Sequence, residues 1–333
     1  MGRRLTQTFD VQAHRGGAGL TVENTLAAFG RALEIGVRTL ECDVHLTADG
    51  VPVVVHDRRL GAEKYADTGP AVDGDPFFPY VGALVPELTL AQLRTIDAGS
   101  RPLATHPEQR PAPGAPIPLL TELFELLADR GADAVGINLE TKFDALAPEE
   151  SSPRERFAEV LVAAVHAAGL VERVSIQSFD WGVLRLVRAA EPRLRLNVLA
   201  SPRNLEAGAT GASPWLDGTD IDEFAGDLVR AVAGHGFDAI SPSHGYPFTS
   251  GVDDPAYQPF TTPSMVQEAH AAGLRVIPYT VDDAPTMRAL IDLGVDGLIT
   301  NHPDRLRGVL AERGEPVPRQ YPAPHGPIPG SHP

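Results

Sequence analysis

The sequence predicts a single (β/α)8 barrel with a small insertion after the hairpin of its second strand. Three observations carry that expectation. An amphipathic helical pattern that ends in glycine, followed within a few residues by a short apolar run, recurs along the chain. Helix followed by strand, again and again, is the signature of a parallel sheet. Counting the apolar runs gives eight strands, and 333 residues leave room for eight such units. A doubly wound open sheet is the competing arrangement.

The strands are expected, in order, at FDVQAH (9–14), TLECDV (39–44), VGINLE (135–140), VSIQS (174–178), LRLNVLA (194–200), DAISPS (238–243), RVIPYTV (275–281) and DGLIT (296–300). Gly36, Gly131, Gly169, Gly236, Gly273 and Gly294 stand between helix and strand, where a helix C-terminus favours a left-handed residue. VPVVVHD (51–57) breaks the alternation: TADG before it is a turn signal and no helix intervenes, so it reads as a run that doubles back beside the second strand. Residues 58 to about 118 hold a short helix pattern, LTLAQLRTIDAG, between two Pro- and Gly-rich stretches and read as an insertion. Two long loops, 201–220 and 242–263, leave strand C-termini, and loops of that length in a compact domain are usually functional. The barrel domain is expected over 1–314. The last 19 residues, 315–333, contain seven prolines and read as a disordered or extended tail.

Composition narrows the partners. The formal charge is −16, from 28 Lys+Arg against 44 Asp+Glu, so the surface repels nucleic acid and anionic membranes. An anionic substrate therefore needs a local positive site. Cys42 is the single cysteine, which rules out an intrachain disulfide. No run of 18 apolar residues exists to span a bilayer. The start, MGRRLTQTFDV, has two arginines but no apolar stretch after them, so a cytoplasmic protein is expected as the sequence stands, a leader removed beforehand being the alternative.

In a barrel the chemistry sits at the C-terminal ends of the strands. The first expected strand ends in AHRGG, the second carries ECDV, and the third ends in NLETK. Residues two apart on a strand share a face, which pairs Glu41 with Asp43 and Glu140 with Lys142. Three carboxylates converging at one rim call for a positive neutraliser, and a hard divalent cation with oxygen ligands is the natural one. His14 closes the first strand and His56 the doubled-back run, a pair suited to general acid and base work near neutral pH. Arg15 and Lys142 supply the positive charge, and the helix opening at TVENTLAAF aims its N-terminus at the same end. Together these groups describe a site for a phosphate ester.

At this point the motifs AHRGG, ENT, ECD and VHD, with NLETK, SIQSFDW, YTVD and GVDGLITNHPDRL beyond them, closely resemble the glycerophosphodiester phosphodiesterases over roughly residues 9–308. The resemblance implies a barrel with a small insertion after the His-Asp run. It implies one divalent cation, Ca2+ or Mg2+, held by Glu41, Asp43 and Glu140, with His14 and His56 as the catalytic pair; which is acid and which is base is left open, His14 as acid and His56 as base being the preferred assignment. The implied reaction is hydrolysis of a small-molecule glycerophosphodiester, such as glycerophosphocholine or glycerophosphoethanolamine, to glycerol 3-phosphate and an alcohol, with a cyclic phosphate as a candidate intermediate. Arg15 and Lys142 would bind phosphate oxygens. Phe179, Trp181 and Tyr279 follow strand ends and could line the alcohol or glycerol pocket, and His244 in SPSHGY is balanced between substrate contact and loop structure.

Other polar groups read as ordinary. His166, His235 and His270 lie in helical stretches, Asn24 and Thr25 read as helix caps, His45 and Asp49 as solvent-facing or turn-shaping residues, and Asp57 as a group that orients a neighbour. Two rival functions remain. A lysophospholipase D would use the same groups on lipid-bearing diesters and should show an apolar rim; a non-catalytic phosphodiester-binding barrel would carry the fold without the chemistry.

Overall fold

Eight strands wind in parallel, as the apolar runs predict, and the reason they form a barrel lies in their alternation. The structure is a computed structural model and describes residues 8–323. The barrel strands are β1 (Asp10–Ala13), β2 (Thr39–Leu46), β3 (Gly136–Thr141), β4 (Val174–Ser178), β5 (Arg195–Ala200), β6 (Ala239–Pro242), β7 (Arg275–Val276) and β8 (Gly297–Thr300). Each is followed by a helix of the outer ring: α1 (Leu26–Ile35), α2 (Leu120–Asp129), α3 (Arg154–Ala167), α4 (Trp181–Ala190), α5 (Leu228–Gly234), α6 (Pro263–Ala271), α7 (Ala284–Leu293) and α8 (Pro303–Glu312). All six glycines read as helix terminators adopt positive φ, from +57° at Gly131 to +90° at Gly36.

Hydrogen-bonded neighbours run β7-β6-β5-β4-β3-β2-β1-β8. The remaining junction, β8 to β7, has no regular ladder. It is bridged by Asp296 N–H to Val276 O (2.9 Å), Ile299 N–H to Pro278 O (3.0 Å) and Val281 N–H to Ile299 O (3.0 Å). Pro278 has no N–H to give, which accounts for the broken pattern. The barrel is therefore nearly closed, and the open-sheet alternative does not hold.

Side chains alternate across each strand. Leu40, Cys42 and Val44 of β2, with Val11, Leu139, Ile176, Val198 and Leu298 on other strands, face outward into one apolar layer shared with the helices. Their neighbours point into the barrel and are polar. Thr39 donates to Asp10, Asn138 to Gln12 and Gln177, Gln177 to Glu41, and Asn197 to Asn138, all within 2.7–3.1 Å. The apolar core is thus a ring around a hydrogen-bonded polar lumen, an unusual filling for a barrel. Buried polar groups are tolerated here because they satisfy one another.

The run Pro52–Val54 pairs antiparallel with β2, Val54 opposite Val44, so the expected hairpin is present. The insertion that follows builds a core of its own, with Leu60, Tyr65, Tyr80, Val85, Leu93 and Ile117 packed on Val53 and Val55. Of the disordered or extended tail expected over 315–333, residues 315–323 form no helix or strand and are docked on the barrel. Tyr321 is buried in the main core, its N–H donates to Leu33 O (2.8 Å), and Arg307 and Arg130 hold the carbonyls of Pro318 and Tyr321. One aromatic anchor among the prolines suffices to dock the segment. Residues 324–333 of that tail, and residues 1–7 of the start, lie outside the described residues. No helix among the described residues is long and apolar enough to cross a membrane.

Removing the anchor should cost stability at the end of the barrel remote from the strand C-termini. Tyr321→Ala is expected to lower the free energy of unfolding by about 2–4 kcal/mol, measured by urea denaturation with the native circular dichroism spectrum retained.

Candidate active site

The turn after β1 sets the site's geometry. Arg15 adopts φ +50°, an unfavourable left-handed conformation for a residue with a Cβ, and thereby turns its N–H onto Glu41 Oε2 at 2.9 Å. Gly16 follows at φ +80°, and a Cβ there would stand 2.8 Å from the Ala28 Cβ, so only glycine lets this turn lie against α1. Thr25 caps α1 as expected, its Oγ1 accepting from Ala28 N at 3.1 Å. Asn24, read as a cap, instead sits at φ +54° and donates to Asp43 Oδ2 at 2.8 Å.

Register brings the three carboxylates together. In the β2–β3 ladder Asp43 stands opposite Glu140, and Glu140 stands opposite Gln177 of β4. One oxygen each from Glu41, Asp43 and Glu140 lie within 4.8 Å of one another, and all three residues are buried. Oxygens on a common calcium ion, each about 2.3–2.6 Å away, fall within that span. Asp43 Oδ1 is buried with no hydrogen-bond partner, an acceptor left over for a cation. Lys142 Nζ lies 2.7 Å from Glu140 and 3.5 Å from Asp43, and Arg15 Nε lies 3.1 Å from Asp43 Oδ2, close enough for attraction but not aligned as a hydrogen bond. Burial, then Asp43 and Glu140, pushes Glu41 well above the usual carboxylate range, and burial raises Glu140 too. Asp43 goes the other way. Burial opposes its charge, but Arg15 and then Lys142 hold it well below the usual range.

Both histidines are oriented by their Nδ1 atoms. Asn301 gives its amide hydrogen to Asp282 Oδ2 (2.7 Å), so the atom it turns toward His14 Nδ1 (2.7 Å) is its oxygen. His14 Nδ1 must then carry the hydrogen. Asp57 Oδ1 accepts from His56 Nδ1 at 2.7 Å, which fixes the same tautomer there and shows the orienting part expected of Asp57. Nε2 is consequently the titrating nitrogen of each ring. Burial, then Arg15, lowers His14 to about 4; burial, then Arg15 and Lys142, lowers His56 to about 4 as well.

A cavity of about 620 Å³ opens over these groups, lined on one side by His14, Arg15, Glu41, His56, Glu140 and Lys142. Its opposite side is more apolar, with Phe179, Leu199, Phe248, Tyr279 and Ile299. Phe179 and Tyr279 meet edge to face at 5.9 Å, and Phe248 packs on Tyr279 at 5.7 Å. Trp181 is not part of this wall. Asp180 caps α4 directly after the strand end, and Trp181 is fully buried against His235 and Phe237, at 5.3 and 5.4 Å between rings. His244 does not line the cavity either: it is buried, stacked on Tyr257 and 3.3 Å from the Phe248 carbonyl, so it supports the loop that carries Phe248. His45, expected in solvent, is buried beneath the return strand and its Nε2 donates to the His56 carbonyl at 3.2 Å.

A parallel barrel whose rim joins two Nδ1-anchored histidines, a carboxylate triad and two cations belongs to the class of barrel phosphodiesterases. The family model of the glycerophosphoryl diester phosphodiesterases matches residues 14–305. The chain belongs to that family. It is 28% identical over 305 residues to a glycerophosphodiester phosphodiesterase of Caldanaerobacter subterraneus, covering 91% of this chain and 98% of that one. Among solved structures, one from Silicibacter pomeroyi, provisionally designated a glycerophosphoryl diester phosphodiesterase, superposes with a TM-score of 0.75 at 30% identity, covering 94% of this chain and 96% of that one. An Oleispira antarctica phosphodiesterase, crystallised with the product sn-glycerol 3-phosphate, shares the fold at a TM-score of 0.62 and 21% identity, covering 92% of this chain and 97% of that one. The expected family, barrel and enzyme class are borne out.

Several residues of the site escape sequence reasoning. Gln177, Asn24, Asp282 and Asn301 reach the carboxylates or histidines only through tertiary contact. Gln177 did leave a signal, since a polar residue at every second position of a parallel strand buried on both faces has to be answered inside the barrel. His45 carries a measurable consequence. Burial, then Lys142, lowers it to about 3, so between its ordinary value of about 6.5 and pH 3 the unfolded chain takes up a proton that the folded one refuses. Stability from this group is present above pH 6.5 and drains as pH falls. The stability gap between wild type and His45→Gln should therefore narrow by about 2 kcal/mol from pH 7 to pH 5, read from paired denaturant titrations.

Proposed function

We propose that this protein hydrolyses glycerophosphodiesters, such as glycerophosphocholine or glycerophosphoethanolamine, to sn-glycerol 3-phosphate and the free alcohol. The observation that carries the reading is the convergence of His14, His56, the Glu41–Asp43–Glu140 triad, Arg15 and Lys142 on one cavity. The product held by the Oleispira barrel is the product proposed here. A divalent cation, Ca2+ or Mg2+, would be held by Glu41, Asp43 and Glu140. When bound it would polarise a phosphoryl oxygen.

The side chains divide the remaining work. Arg15 and Lys142 draw the phosphodiester anion onto the polar wall and offset charge on its oxygens. His56, with Nε2 free and Asp57 behind Nδ1, takes the proton from the attacking water or glycerol hydroxyl as the new P–O bond forms; attack by the hydroxyl gives a cyclic phosphate, which a water then opens to glycerol 3-phosphate. His14 serves as the acid in the form that carries hydrogen on both ring nitrogens, a form the phosphodiester anion beside the ring favours; its Nε2 gives that proton to the alcohol oxygen as the old P–O bond breaks. Asn301 and Asp282 keep that ring aimed. Phe179, Tyr279 and Phe248 supply the apolar wall for the carbon skeleton.

Either His14→Ala or His56→Ala should lower kcat for glycerophosphocholine by about 100-fold or more, and normal turnover in either would remove that residue from the acid and base pair. Chelation should silence the wild type reversibly, with Ca2+ or Mg2+ restoring it. Activity that survives exhaustive chelation would refute the triad as a metal site. A lysophospholipid substrate is the second reading, favoured by the apolar wall and by Phe248, which is 41% exposed at the cavity's edge. The ratio of kcat/KM on glycerophosphocholine and on lysophosphatidylcholine decides between them.

A further inference from the structure

Behind His56 lies a second cluster of ligand-type atoms. Glu23, His56 and Asp57 each place one such atom within 4.8 Å of the others. A cation already stands among them, and it comes from the insertion: Lys64 Nζ is 2.8 Å from Asp57 Oδ2 and 2.9 Å from Glu23 Oε1. Lys64 is 17% exposed and is not among the residues that line the cavity. Its backbone is pinned by a tight turn, with the N–H groups of Lys64 and Tyr65 both donating to Gly61 O, and the Tyr65 ring is buried in the insertion's own core.

The contacts continue on both sides. Asp57 uses its other oxygen for His56 Nδ1 at 2.7 Å, and Glu23 grips Arg15 with both oxygens at 3.1 Å. Arg15 in turn reaches Asp43. From His56 to the triad the charges run Asp57, Lys64, Glu23, Arg15, Asp43, each opposite in sign to the next. Without Lys64 two carboxylates would face each other across a partly buried gap, and the second oxygen of Asp57 would keep only the long hydrogen bond from the Tyr65 hydroxyl, at 3.5 Å.

We propose that Lys64 is a positioning residue for His56: it holds Asp57 in line with the imidazole and joins that pair to the Glu23–Arg15 arm of the phosphate site. The insertion thereby completes the barrel's active site from outside the barrel. This rests on the reading of His56 as a member of the acid and base pair.

The test is steady-state hydrolysis of glycerophosphocholine by the full chain bearing Lys64→Met, Lys64→Arg, Asp57→Asn, or Asp57→Asn with Lys64→Met. Lys64→Met is expected to lower kcat about 10- to 100-fold with KM within about 3-fold of wild type. Lys64→Arg should recover at least about 5-fold of that loss, because a cation is restored. In the Asp57→Asn background the Lys64 substitution should add less than about 2-fold, since its partner is already gone. Unchanged kcat in Lys64→Met, a loss confined to KM, or losses that multiply independently in the double variant would each overturn the proposal. Should Lys64→Met not fold by thermal unfolding, Lys64→Gln carries the same comparison. An inactive His56→Ala beside a fully active Lys64→Met sinks this inference alone; an active His56→Ala sinks the functional reading beneath it.

Discussion

Three carboxylates share the inside of one barrel, and the rest of the molecule is arranged around the cost of keeping them there. Glu41, Asp43 and Glu140 are buried on adjacent strands, and Arg15 and Lys142 stand beside them to offset their charge. In a medium less polar than water such charges repel strongly, and burial favours protonating them. The structure answers with fixed donors. Gln177 and the Arg15 N–H hold the two oxygens of Glu41, and Asn24 holds Asp43. What is left over, above all Asp43 Oδ1, which accepts no hydrogen bond and has the Lys142 ammonium 3.5 Å away, is an acceptor surface aimed at one place.

That demand explains the inverted filling of the barrel. A lumen packed with branched apolar side chains could not orient acids from below. Here a hydrogen-bonded column runs from Asp10 and Gln12 through Asn138 and Gln177 to Glu41, and the hydrophobic core is displaced outward to the ring between strands and helices. Stability and chemistry are thus assigned to opposite faces of the same strands. The left-handed backbone at Arg15 and Asn24 is the local strain accepted where the two meet.

Most of this was legible because it obeys short-range rules. Eight apolar runs, six helix-ending glycines, a turn in TADG and a motif spread over the strand ends specify the barrel and bring His14, His56, Glu41, Asp43 and Glu140 to one rim. The misses share a cause: each depends on which way a side chain leaves its backbone once neighbours are present. Trp181 follows a strand end but begins a helix that turns it into the core. His45 alternates inward on β2, where the return strand covers it. His244 supports a loop whose Phe248 does the lining. Tyr321 was hidden in a proline-rich composition, although one well-placed ring outweighs its polar surroundings. Lys64 gave no signal at all, because an insertion's lysine finds its partners only after two separate cores have packed.

The seam at Pro278 has a consequence for how the site loosens. The three carboxylates lie on β2 and β3, whose ladder pairs Thr39 through Val44 without a break, while the groups that orient His14 lie beside the irregular closure, Asn301 directly after β8 and its own partner Asp282 in the segment between β7 and α7. A hoop fastened by a few bonds gives first at its fastening. As the protein warms, the aim of one imidazole therefore drifts before the carboxylates part. Thermal loosening should disturb the setting of His14 while the three carboxylates still hold their places, so that two halves of one rim fail at different temperatures.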